Sequence, residues 1–208
     1  MDMMNLNLIA GILMVVLSST AAEAQEAKRY ELGVFGTYSF LEKIGSTDHG
    51  VGTQAAGIGG RFVYRALPFL DLESDITVLP GNSATAGNHL QGLFGAKAGL
   101  RTHKIGLFVK ARPGFMHFSK DPFGVSKTGT GADFFSRERA SSTEPNLDVG
   151  GVVEYYTVRG VILRFDLGDS IIRYAPRMVR VSDFVPPFEA GGFTTHNWQG
   201  SFGVSFRF

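Results

Sequence analysis

Metal or acid–base chemistry in this chain would have to come from five histidines and the carboxylates, because the sequence contains no cysteine. The histidines are His49, His89, His103, His117 and His196. None forms an H-E-x-x-H motif or a paired-ligand spacing, so neither a metal site nor a cofactor is expected. The cluster Gly57-Ile58-Gly59-Gly60 lacks the strand–turn–helix setting of a phosphate loop and reads as small strand positions. One pair could do nucleophilic chemistry. In His117-Phe118-Ser119 the imidazole and the hydroxyl are two residues apart, and on a strand they share a face. Such a pair needs an acid to orient the ring. Lys120 follows Ser119, and Glu144 on the next strand has the opposite parity, so no acid is placed for that task. His117 and Ser119 are therefore expected to be ordinary polar residues at a strand end, with no catalytic role. The formal charge of +1 argues against a nucleic-acid partner.

The larger group of reactive side chains is ionic, and its spacing is that of strands. Side chains at i, i+2 and i+4 share a strand face. In 197–208 one face reads Trp198, Phe202, Val204, Phe206 and Phe208, while the other reads Asn197, Gln199, Ser201, Gly203, Ser205 and Arg207. In 69–79, Leu70, Leu72, Ile76 and Val78 oppose Asp71, Glu73, Asp75 and Thr77. The same alternation predicts strands over 29–41, 54–66, 89–101, 104–118, 146–157 and 161–174, eight in all. Their polar faces collect Arg61, Arg65, Lys97, Arg101, Lys110, Arg112, Arg164 and Arg207 against Glu31, Asp71, Glu73, Asp75, Asp148, Glu154 and Asp166. These signs nearly balance, as an enclosed ionic network requires.

Eight amphipathic strands can close with the apolar face inward, as in a soluble lipocalin-like carrier, or outward into lipid. The glycine-rich, charge-balanced polar face favours lipid outside and an ionic network inside. Aromatics near strand ends, among them Tyr30, Tyr38, Phe40, Tyr64, Phe115, Tyr155, Trp198 and Phe206, fit interfacial girdles. Long connections (42–53, 80–88, 119–145, 175–196) alternate with short ones near Leu67-Pro68, Thr102-His103 and Val158-Arg159-Gly160. Barrels of this kind have long extracellular loops and short periplasmic turns, which puts both chain ends on the periplasmic side. Leu8 to Leu17 is a short apolar run, and Ala22-Glu23-Ala24 is an A-x-A cleavage pattern. Residues 1–24 are thus expected to be a removable export signal, and 25–208 an all-β, eight-stranded, antiparallel, up-and-down transmembrane barrel.

The final segment, Gly200-Ser201-Phe202-Gly203-Val204-Ser205-Phe206-Arg207-Phe208, resembles the terminal β-signal of outer-membrane proteins. The resemblance implies that Phe202, Gly203, Phe206 and Phe208 are read by the barrel-assembly machinery. From Arg29 to Phe208 the chain resembles the small eight-stranded barrels of the OmpA-like superfamily. Lys110-Ala111-Arg112-Pro113-Gly114-Phe115 and Arg164-Phe165-Asp166-Leu167-Gly168-Asp169 are similar to recurring segments of that group. No peptidoglycan-binding segment of the full-length OmpA type is recognised, so a wall tether is not implied. The resemblance implies a Gram-negative outer-membrane location, with the lipid bilayer as the main partner.

Three roles follow as expectations. The first is a non-enzymatic surface or structural barrel whose loops meet an extracellular ligand; Phe134-Phe135, Val185-Pro186-Pro187-Phe188 and Phe193 are apolar for such loops. The second is a lipid hydrolase, since His117 and Ser119 resemble the His-x-Ser pair of eight-stranded lipid A deacylases. The mass of lipid A after expression separates these two. The third, an aqueous pore, is disfavoured because eight strands leave room only for side chains.

Overall fold

Period-two alternation is realised as eight long strands and one short ribbon. The computed structural model describes residues 28–41, 53–81, 87–119, 141–157, 160–179 and 188–208. The expected export signal, residues 1–24, lies outside the described residues, as do Phe134, Phe135, Val185, Pro186 and Pro187. The barrel strands are β1 (Tyr30–Leu41), β2 (Thr53–Leu67), β3 (Leu70–Leu79), β4 (His89–Arg101), β5 (Ile105–Phe118), β6 (Ser142–Tyr156), β7 (Val161–Tyr174) and β10 (Phe193–Arg207). The remaining two, β8 (Arg177–Val179) and β9 (Phe188–Ala190), pair with each other between β7 and β10.

Each long strand pairs antiparallel with its chain neighbours, and β1 closes against β10 from Glu31↔Arg207 to Phe40↔Trp198. Closure leaves no strand edge whose amides would lack partners in lipid. The turns are short for local reasons. Between β4 and β5, the Thr102 amide donates to the Ile105 carbonyl at 2.8 Å, and the Ile105 amide donates to Thr102 Oγ1 at 3.1 Å. At the start of β7, Gly160 takes φ 83°, a left-handed backbone that suits glycine.

The register fixes the tilt. Stepping across pairs from Phe40 through Trp198, Asp169, Val149, Ala111, Ala96, Leu72 and Tyr64 returns to β1 at Tyr30, ten residues from the start. With a rise of about 3.3 Å per residue and strands about 4.8 Å apart, that stagger tilts the strands about 40°. Ten residues then climb about 25 Å, the height of the apolar band of such barrels.

Two strands start well before the sequence predicts. β6 begins at Ser142 and β10 at Phe193, each four residues before the expected start. Their extensions pair with strand ends already in place, Ser142 with Phe118 and Phe193 with Tyr174. The β4–β5 pairs run to Leu93↔Gly114 and resume at Ala96↔Ala111. The skipped stretch contains Pro113, which has no N–H to give to the ladder.

Candidate functional site: the charged barrel interior

Inward positions carry the charge. Glu31, Arg61, Asp71, Glu73, Asp75, Lys97, Lys110, Arg112, Asp148, Glu154, Arg164 and Asp166 are all buried, while Arg65, Arg101 and Arg207 are half-buried at the short-turn end. The structure brings them together as two layers across the lumen.

The layer nearer mid-barrel holds Arg61, Lys110, Arg112 and Arg164 against Glu73, Asp75, Asp148 and Asp166. Arg61 forks onto Asp75 at 2.8 and 2.7 Å and reaches Asp166 at 3.0 Å. Arg164 donates to Glu73 at 2.6 and 3.1 Å and to Asp166 at 2.6 Å. Arg112 joins Asp148 at 2.6 Å, Asp75 at 2.5 Å and Glu73 at 3.2 Å. Lys110 lies 2.9 Å from Asp148 and 3.6 Å from Asp166. Each acid bridges at least two cations, so four positive charges meet four negative ones and none is stranded. A buried ion is tolerated on that condition, and forked arginines satisfy it with fixed geometry.

Nearer the short turns, Arg207 donates to Glu31 at 2.7 and 2.5 Å, and Arg101 to Asp71 at 2.6 Å. Lys97 lies 3.4 Å from Asp71 and binds Glu154. The Tyr156 hydroxyl donates to Glu154 at 2.7 Å and accepts from Arg101 at 2.8 Å. Glycines make room for these long side chains. A Cβ on Gly203 would come within 2.6 Å of Phe35 Cβ, and the Arg61 guanidinium covers the Phe35 ring at 4.6 Å.

Sequence reasoning missed what lies above the ions. Gln91 and Gln199 exchange side-chain amide hydrogen bonds at 3.3 and 3.1 Å across the lumen, and Ser170 donates to Asn146 at 3.0 Å. Beyond them, towards the long loops, Ala55, Leu79, Met116, Phe118, Ile172 and Tyr174 form a buried apolar cluster. Strand parity held the signal, since Met116 and Phe118 continue the inward face of Lys110 and Arg112.

The outer wall is apolar. Ile58, Val34 and Val109 are 72%, 70% and 69% exposed. A soluble barrel would hide these and solvate the charges, so the lipocalin-like arrangement is excluded by the geometry. Aromatics edge the wall. Tyr30 packs on Tyr64 at 5.4 Å at the short-turn end, and Tyr38 meets Phe40 edge-on at 5.0 Å beside Trp198 at the other. Outward-facing Gly36 and Gly60 floor an apolar groove of about 650 Å³ bordered by Ile58, Ile76 and Phe202.

His117 and Ser119 both sit at the long-loop end of β5. The His117 Nδ1 is hydrogen-bonded to Thr143 Oγ1 at 2.8 Å, and the Ser119 amide donates to the Asn88 carbonyl at 2.9 Å. The acid–histidine contact of the outer rim is elsewhere and was not anticipated. His196 Nδ1 lies 2.6 Å from Asp169 Oδ2, and the Asn197 amide donates to Asp169 Oδ1 at 2.9 Å. An outward acid on β7 was the available signal, because a carboxylate beside lipid calls for a partner. Of the residues expected to form an assembly signal, Phe202, Phe206 and Phe208 face outward, and Gly203 faces in beside Phe35.

No family model matches the chain. No curated protein matches it either. Among solved structures it resembles Neisserial surface protein A, with 16% identity and a TM-score of 0.53 over 88% of this chain and 100% of that one. It also resembles the N-terminal β-barrel domain of Pseudomonas aeruginosa OprF, with 14% identity and a TM-score of 0.51 over 88% and 100%. Charged interior, apolar wall, register and neighbours define one fold class: the chain is an eight-stranded transmembrane β-barrel, with the fold of small outer-membrane barrels.

Proposed function

We propose that this protein is an integral protein of the Gram-negative outer membrane, exported through a cleavable signal and acting as a structural or surface-interaction barrel. The observation that carries this reading is the inverted polarity, with salt bridges at the axis and aliphatic side chains outside. The ionic layers and the apolar cluster fill the lumen with side chains, which supports a plugged barrel over a general pore. A non-enzymatic role is supported by the engagement of His117 with Thr143 rather than with an acid. The long loops then carry the interaction with an extracellular partner.

Topology tests the reading. Protease added to intact cells is expected to cut in the loop that follows β5, near Arg137-Glu138-Arg139, and to spare Thr102-His103-Lys104. Cleavage at the second site alone would invert the orientation.

The last strand carries a second expectation. Phe206 and Phe208 are outward and 49% and 52% exposed, so polar replacements there remove little packing from the finished fold. If these residues are read by the assembly machinery, replacing both by Ser lowers the amount of heat-modifiable barrel in the outer membrane several-fold. Unchanged amounts on a gel would remove the assembly-signal assignment.

A further inference from the structure

The two ionic layers differ in their balance. The mid-barrel layer is neutral, but the layer at the short turns sets Arg65, Lys97, Arg101 and Arg207 against Glu31, Asp71 and Glu154. One positive charge is left over, and the hydrogen bonds show which. Glu31 is taken by Arg207, Asp71 by Arg101 and Lys97, and Glu154 by Lys97 and Tyr156. Arg65 keeps Nε and Nη2 buried with no acceptor among the described residues. A guanidinium has five donors and cannot shed its charge, so this is a costly state unless something anionic completes it.

The surroundings sharpen the point. Arg101 and Arg207 both act on Arg65 repulsively, against the attraction of Asp71 and Glu31. The guanidiniums of Arg101 and Arg207 converge on one ring, 5.9 and 5.0 Å from the centre of Tyr156. Three arginines therefore share one end of the lumen. Around that mouth the exposed charged side chains among the described residues, Lys28, Arg29 and Lys104, are all basic. Such a rim raises the local concentration of anions. Among the described residues of the layer, the one buried side-chain acceptor without a hydrogen-bond partner is Asp71 Oδ1. Even if Arg65 turned onto it, the count of four cations to three acids would stand.

We propose that the short-turn mouth of the barrel is an oxyanion site, in which a phosphate-type group binds Arg65 and draws on Arg101 and Arg207. Forked guanidinium donors match that geometry. A free phosphate and the headgroup phosphate of a lipid at the barrel rim share this chemistry. The site depends on the fold and not on which side of the membrane the mouth faces.

The test is calorimetric titration of inorganic phosphate, at constant ionic strength, into the refolded full barrel in dodecyl maltoside. Saturable one-site binding is expected. Arg65→Gln should weaken it by about tenfold or more, the scale of losing charge-assisted hydrogen bonds, whereas Arg173→Gln at the opposite end should not change it. Heat-modifiable migration verifies that the variants are folded. Independently of any variant, the Arg65 Nε–H resonance of the wild-type protein should shift with phosphate. In nanodiscs, weaker phosphate binding with phosphatidylglycerol than with phosphatidylcholine alone identifies a headgroup as the occupant, and equal binding identifies the free anion. Absence of saturable binding, binding that survives Arg65→Gln, or an unmoved Arg65 resonance overturns the proposal, and the arginine then rests on Asp71 and water.

Discussion

Replacing Glu73 with glutamine is expected to destabilise the folded barrel by about 3–5 kcal/mol, the cost of breaking one partner of a buried ion pair. Glu73 is fully enclosed and receives Arg164 at 2.6 and 3.1 Å and Arg112 at 3.2 Å. Glutamine keeps the volume and one acceptor oxygen, so packing is almost unchanged. What it removes is the charge, and the mid-barrel layer becomes four cations against three acids. Neighbouring Leu72 is the control. It points outward at 38% exposure, so Leu72→Ala removes area that lipid refills and should cost much less. Reversible urea unfolding in lipid or detergent measures both. A neutral Glu73→Gln beside a collapsing Leu72→Ala would mean that the two faces are assigned the wrong way round.

The second large effect lies on the wall. Leu167 is outward, 49% exposed, and halfway along β7, opposite Gly151 and Gly200. Arginine there places a guanidinium near the middle of the apolar band, at about 2–4 kcal/mol. Leu100 is more exposed, at 67%, but it sits beside the short turn that ends β4, where the same substitution should cost about 0–1 kcal/mol because the side chain reaches water. The ordering Leu167→Arg well above Leu100→Arg is set by depth, not by burial. In a protein whose wall faced water, the two variants would unfold alike.

Strand count and the inside–outside assignment were legible because period two shows strand by strand, and closure follows because lipid tolerates no unpaired edge. Asp71, Glu73 and Asp75 share a face whatever they touch, and the turn at Pro68 brings Arg65 opposite Asp71. The partners across the lumen were not legible. Arg61 on β2 meets Asp166 on β7, strands that are not neighbours, and only the stagger of the closed barrel decides such a contact. Strand ends failed for a related reason. Thr143-Glu144-Pro145 shows no apolar alternation, yet it extends β6 because β5 offers a ladder as far as Phe118. The β8–β9 ribbon is likewise fixed by pairing, with three residues on each side and too little sequence to show a period. The apolar cluster at the long-loop mouth lay on faces already assigned as interior. Met116 and Phe118 continue the inward face beyond Arg112, but only the closed barrel brings them against Ile172 and Tyr174.

Separation of cells into soluble periplasm, inner membrane and outer membrane, followed by detection of this chain, tests the central claim most directly. An outer-membrane barrel is expected in the outer-membrane fraction, resistant to high-salt and carbonate washes, released only by detergent, and faster on a gel before boiling than after. Recovery from the soluble periplasm, in a form that needs no detergent, would contradict it.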